Sequence, residues 1–165
     1  MLVPFLIVNR KSAAQPRIFN FVAAVRKAET GLKVGAAGFC WGGKYTMLLA
    51  HDEPSSRVTV GGTLQPLIEC GFTAHPSRVS LPSDIERVQR PLSVIVGNED
   101  SAMNAAGIRQ MEGILKKVDH HEVVILEGAK HGFAVRIDPT DELQNNYAKQ
   151  AEVQAIAWFS KWLQG

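Results

Sequence analysis

Residues 33–44 read KVGAAGFCWGGK, and this stretch decides the fold. The apolar run Val34 to Ala37 leads into Gly38-Phe39-Cys40-Trp41-Gly42-Gly43, and Lys44 to Ala50 has helical composition. Strand, sharp turn and helix with one nucleophilic side chain at the apex make the cysteine form of the G-x-S-x-G nucleophile elbow. The turn demands small residues two positions either side of Cys40. It stands the sulfur at a sheet's carboxyl edge and at a helix N-terminus. The positive end of that helix is expected to favour thiolate over thiol. The Trp41 amide is expected to face a developing oxyanion.

Working outward, strands alternate with helices. Pro16 to Ala28 carries Ile18, Phe21, Val22 and Val25 at helical spacing, with Pro16 near the start. After the elbow helix, Asp52 to Pro66 reads as a loop with a β-branched patch at Val58 to Val60. Leu67 to Ala74 reads as a strand, and Ser77 to Arg90 as a connector with a helical turn around Asp84 to Arg87. Leu92 to Val96 is a short apolar run closed by Gly97, the pattern of a buried parallel strand. Ala105 to Val118 is an amphipathic helix, Glu122 to Leu126 a strand, and Leu143 to Leu163 a long closing helix. This alternation predicts an α/β fold, a parallel sheet with helices on both faces.

Such sheets bind ligands at the carboxyl ends of their strands. The residues there are Cys40, His75, Asn98-Glu99-Asp100 and Lys130-His131-Gly132. They supply a nucleophile, an acid and a histidine in the chain order of the α/β-hydrolase fold. Cys40 would attack an acyl carbonyl, His131 would move the proton, and Asp100 would orient the imidazole. Glu99 is an alternative acid, and Asp100 could instead cap the following helix. His75 could line the site or only shape the turn before Pro76. Trp41 and Phe133 could be core or pocket wall. Arg136 could clamp a substrate carboxylate or pair with Asp138. His120 and His121 precede a strand and read as solvated surface, His51 as a charge at a helix end, and Cys70 as a buried small apolar residue.

Composition bounds the rest. The 165 residues are 45% hydrophobic and 21% charged with a net charge of +2, values of one globular domain spanning 1–165. That charge is too small, and its Lys and Arg too scattered, to indicate nucleic acid. Two cysteines show neither metal-ligand spacing nor a disulfide framework and fit a reducing, cytoplasmic setting. The apolar Met1 to Val8 is too short to span a bilayer, and its positive charges follow it, so it reads as buried structure or as the stump of something longer, and no membrane association is expected.

The segments GFCWGGK, GNED, TAHPS and AKHGFAVR together resemble the dienelactone hydrolase family, in particular its fungal members, over about Pro4 to Trp162. The resemblance implies an α/β-hydrolase fold and hydrolysis of enol lactones or related esters without metal or cofactor. It implies the triad Cys40, Asp100 and His131, with Arg136 near a substrate carboxylate; Phe133 and His75 are candidate substrate-lining residues from their places in the chain alone. Family members also carry a preceding segment with the first strands of the sheet and a second oxyanion-hole amide. The expectation is therefore either a fragment of a longer protein or a short variant lacking those strands, with strand 33–37 at or near a sheet edge. That edge could pair with another copy, and a non-catalytic α/β binding module is the alternative reading.

Overall fold

The structure, a computed structural model, describes residues 8–136, 138 and 140–164. Most of the apolar N-terminal run lies outside them. Helix α1 spans Lys11–Ala28, and β1 (Gly35–Phe39) runs straight into α2 (Trp41–Leu49). A 3₁₀ turn at Pro54–Ser56 precedes the hairpin β2 (Arg57–Val60) and β3 (Thr63–Pro66). The remaining elements are β4 (Cys70–Ala74), β5 (Leu92–Glu99), α3 (Ala105–Leu115), β6 (His121–Lys130) and α4 (Glu142–Leu163).

Four strands form one sheet in the order β1-β4-β5-β6, and every pairing is parallel. Alternation along the strands divides the core in two. Leu92, Val94 and Val96 of β5 point to the face covered by α1, α2 and α3, where they join Met47, Leu48, Ile108 and Met111. Cys70, Phe72, Ala74 and Ile95 point to the other face, where α4 supplies Tyr147, Ala151 and Trp158. Burial on both faces explains why β4 and most of β5 contain no outward polar alternation.

Arg26 fixes α1 against the start of β1. Its guanidinium donates to both Glu69 carboxylate oxygens at 2.6 and 3.2 Å, to Leu32 O at 2.9 Å and to Pro66 O at 3.1 Å. The same Glu69 accepts from Val34 N–H at 2.6 Å. β1 is an edge strand of this sheet, as expected.

Four elements differ from the sequence reading. Residues 57–66 form an antiparallel hairpin, not a loop, because Gly61 (φ 57°) and Gly62 (φ 81°) supply the two positive dihedrals of a type I′ turn. Helix α1 starts five residues before Pro16, which lies inside it as its sixth residue and leaves the Ser12 carbonyl without its intrahelical N–H donor. Residues 81–87 form turns without a helix. β6 continues to Lys130, past Leu126, and carries His131 to the rim.

Candidate active site

The elbow sits where β1 ends. Cys40 adopts φ 51° and ψ −120° as the residue that caps α2. Strain of this kind persists only where the surroundings enforce it. Cys40 N–H donates to Ala74 O at 3.3 Å, and Cys40 O accepts from Gly43 N–H at 3.1 Å and Ser77 N–H at 2.9 Å. A Cβ on Gly38 would lie 2.6 Å from Gly42 O and collide with the Thr46 hydroxyl. A Cβ on Gly43 would collide with the Thr73 hydroxyl and lie 2.8 Å from Pro76 Cβ. Gly42, by contrast, faces open space, so the tight pair is Gly38 and Gly43, not Gly38 and Gly42. Lys44, the last residue of the motif, is buried. It pairs with Asp84 at 2.9 Å and donates to Arg78 O at 3.0 Å, tying down the loop that follows β4.

The other strand ends converge on the sulfur. His131 follows β6, and its Nδ1 lies 2.9 and 3.0 Å from the two Asp100 carboxylate oxygens. The Asp100 side chain is wholly buried and also accepts from Ala102 N–H at 2.7 Å. Asn104, not Asp100, caps α3 by accepting from Gly107 N–H. Glu99 is exposed and stays in the β5–β6 ladder opposite Lys130, so Asp100 is the acid that meets the imidazole. Cys40 Sγ, a ring nitrogen of His75 and a ring nitrogen of His131 all lie within 4.8 Å of one another.

His75 is closer to the sulfur than the sequence suggested. Its Nδ1 lies 3.3 Å from Cys40 Sγ, and its ring packs edge-on against His131 and Phe133, each with centroids 5.1 Å apart. It is fully buried, so it faces the thiol and not an open cleft. Phe133 is also buried; it backs His75 and joins the Tyr147 cluster. Arg136 folds back over Gly132 (φ 95°), donating its backbone N–H to Gly132 O at 2.9 Å. No ion pair joins it to Asp138 among the described residues, and its charge acts on both Cys40 and His75. His131, Phe133 and Arg136 line one cleft of about 300 Å³ with Gln144 and Tyr147. Trp41 is half-buried over Tyr45 (4.6 Å between centroids), and its backbone N–H bonds the Cys40 sulfur.

Burial pushes the Cys40 pKa above its ordinary value. Arg136 and the Trp41 N–H pull it down, Asp100 pushes it up, and the net shift is upward. The expected thiolate is therefore corrected to a resting thiol, because desolvation outweighs the helix terminus. Burial and the neighbouring His131 lower His75 to about 4, so it is neutral near pH 7. Cys70 is fully buried and raised to about 11, chiefly by burial, which makes it an inert core thiol. His121 is corrected from solvated surface, and His51, read as a charge at a helix end, has a buried partner. His51 is buried with Nε2 2.9 Å from Asp84 O. His121 accepts from Leu92 N–H at 3.3 Å and is lowered to about 4 by burial and His120. No helix among the described residues is long and apolar enough to cross a membrane.

A parallel sheet carrying a nucleophile elbow, with acid and histidine delivered by the next strands in that chain order, defines the α/β-hydrolase fold. The chain belongs to the dienelactone hydrolase family, whose model matches residues 5–165. It is 30% identical over 132 residues to Hydrolase tropI of Talaromyces stipitatus, covering 79% of this chain and 46% of that protein. It is 28% identical over 133 residues to Hydrolase pyvD of Aspergillus violaceofuscus, covering 79% and 48%. Among solved structures, esterase 2 of Thermogutta terrifontis phosphorylated by paraoxon superposes with a TM-score of 0.70 at 19% identity, covering 93% of this chain and 65% of that one. The chain thus spans about half the length of the curated relatives it matches.

Proposed function

We propose that this chain hydrolyses a small carboxylic ester or lactone through an acyl-cysteine intermediate, using Cys40, His131 and Asp100. One observation carries the reading: the elbow sulfur lies within 4.8 Å of a ring nitrogen of an imidazole whose Nδ1 is held by a buried carboxylate. Because Cys40 rests as a thiol, its proton leaves as the sulfur attacks the carbonyl, and His131 accepts it. Asp100 supports the imidazolium so formed. The Trp41 N–H, which bonds the sulfur at rest, donates to the carbonyl oxygen as negative charge develops there. The tetrahedral intermediate expels the alkoxide or enolate, which takes the proton from His131. Water, deprotonated by the same imidazole, then attacks the thioester and frees the acid. Arg136 lines the cleft beside His131 together with Lys130, and its guanidinium suits a substrate that carries a carboxylate.

The test is hydrolysis of aryl esters and unsaturated lactones by the parent chain, Cys40→Ala and Cys40→Ser. Loss of turnover in Cys40→Ala and an acyl adduct on Cys40 by intact mass are expected; unchanged turnover in both variants overturns the reading.

A second reading rests on β1. Among the described residues its outer edge is unpaired, and apolar cavities of about 580 and 350 Å³ flank it, lined by Phe39 with α4 and by Val22 and Val25 of α1. In that reading the chain binds a partner strand, or a second copy, without catalysis. Light scattering with the esterase assay separates the two: an inactive oligomer favours binding, an active monomer the hydrolase.

A further inference from the structure

Cys40, His75 and His131 present more than a triad needs. Cys40 Sγ and one ring nitrogen from each histidine lie mutually within 4.8 Å, with Sγ and His75 Nδ1 already 3.3 Å apart. A tetrahedral Zn²⁺, with bonds of about 2.3 Å to sulfur and 2.0–2.1 Å to nitrogen, spaces its ligand atoms about 3.3–3.6 Å apart. The cluster needs a closure of about 1 Å to meet that spacing. We propose that Cys40, His75 and His131 form a binding site for Zn²⁺ or a similar borderline-soft divalent ion.

Three independent features of the site support a metal. Asp100 occupies His131 Nδ1 at 2.9 and 3.0 Å, which fixes the tautomer and leaves Nε2 as the ligand nitrogen. A carboxylate behind a ligating histidine is the outer-shell partner that zinc sites use. His75 is fully buried with its Nδ1 3.3 Å from the sulfur, and among the described residues its Nε2 has no hydrogen-bond partner. The ring is therefore held toward the sulfur by packing between Phe133, Phe39 and His131, as a preset ligand would be. Cys40 and His131 are only half-buried, which leaves an entry path and a fourth position for water. One sulfur and two imidazoles are the donor set that selects zinc or cobalt over magnesium or calcium. Arg136 opposes the added positive charge and Asp100 favours it.

Binding replaces the S–H bond of Cys40 by an S–Zn bond and releases that proton to solvent; both histidines bind neutral. No electron is transferred. The ion holds the sulfur and the His131 nitrogen together, so zinc acts as a reversible off-switch for any chemistry at Cys40. The binding itself does not depend on the hydrolase reading.

The test reads the metal directly. Chelator-stripped protein is titrated with Co²⁺ and with Zn²⁺ against a chromophoric chelator. One ion per chain, a thiolate-to-cobalt charge-transfer band, and X-ray absorption showing one sulfur and two imidazole nitrogens on zinc are expected from the unmutated chain. His75→Asn suits the left-handed backbone there (φ 40°) and removes the ligand. It is expected to weaken zinc by more than the roughly 10- to 100-fold expected for Asp100→Asn. Oxygen-only coordination, or zinc affinity unchanged in a folded His75→Asn, overturns the proposal. Zinc bound as described with no esterase activity in the metal-free chain would refute the hydrolase and leave the metal site standing.

Discussion

Asp100→Asn tests whether the carboxylate works on the imidazole or only organises its own loop. Asparagine keeps the size of the side chain and keeps an oxygen to accept from Ala102 N–H, the 2.7 Å bond that braces the turn. It removes the charge facing His131 Nδ1 at 2.9 and 3.0 Å. The Asp100 side chain has no solvent exposure, so water does not replace that charge. An imidazolium and a carboxylate about 4 Å apart between charge centres, at an effective dielectric of about 20, attract by about 4 kcal/mol. That attraction exists only once His131 has taken the thiol proton, so its loss raises the barrier and leaves the resting state nearly unchanged. The rate should fall roughly 1,000-fold, since each 1.36 kcal/mol or so is tenfold. The assay is single-turnover acylation of Cys40 by p-nitrophenyl acetate at pH 7, with thermal melting as the control for folding. A well-folded variant within tenfold of the parent would falsify the triad geometry and leave Asp100 as a loop brace.

Two further outcomes follow from the packing and the buried histidines. Gly38→Ala should cost at least about 3 kcal/mol or abolish folding because its Cβ meets Gly42 O and Thr46, whereas Gly42→Ala, in open space on α2, should be neutral or stabilising by up to about 1 kcal/mol; chemical denaturation checks both, and equal effects would refute the steric assignment. His75 and His121 are lowered from 6.5 to about 4, so below pH 6.5 the unfolded chain binds protons that the folded chain refuses. Stability should therefore decline as pH falls from 6.5 toward 4, and denaturation midpoints of His75→Asn and His121→Gln should decline less steeply; a parent-like slope in both rejects the buried-neutral assignment.

What the sequence made legible follows from the reach of each signal. The elbow, β5 and α4 are local patterns. A glycine-flanked cysteine, an uninterrupted apolar run and a long helical stretch each specify themselves within a few residues. The hairpin at 57–66 was also locally encoded, by Gly61-Gly62 between β-branched residues, but its four-residue strands, the Pro66 that ends it and the Pro-Ser-Ser stretch just before it resemble a loop. The protonation state of Cys40 was not legible. It depends on burial by residues distant in sequence, and a helix terminus read alone gives the opposite sign. His75 was ambiguous for the same reason. Its position at the end of β4 was visible, whereas its 3.3 Å approach to the sulfur depends on parallel pairing of β1 with β4. His121 read as surface from its place before a strand and His51 as a helix-end charge, yet both meet partners roughly thirty residues away.

The elbow's support comes from one side. Among the described residues the backbone hydrogen bonds of Cys40 run inward, to Ala74 O, Ser77 N–H and Gly43 N–H, and Gly43 packs closely on Thr73 and Pro76, on or just after β4. Lys44 extends the same brace by fastening Arg78 O and Asp84 in the following loop. None of these partners lies beyond the outer edge of β1. Among the described residues the Cys40 backbone is thus held by β1, β4 and α2, although β1 is an edge strand with Phe39 38% exposed. A partner strand added to that edge would cover Phe39 and complete the ladder without remaking the turn. Acylation of Cys40 by a small activated ester, which needs only sulfur, base and carboxylate, should therefore be present in this chain as it stands. Features that need a wall outside β1, substrate selectivity above all, are the ones such a partner would change.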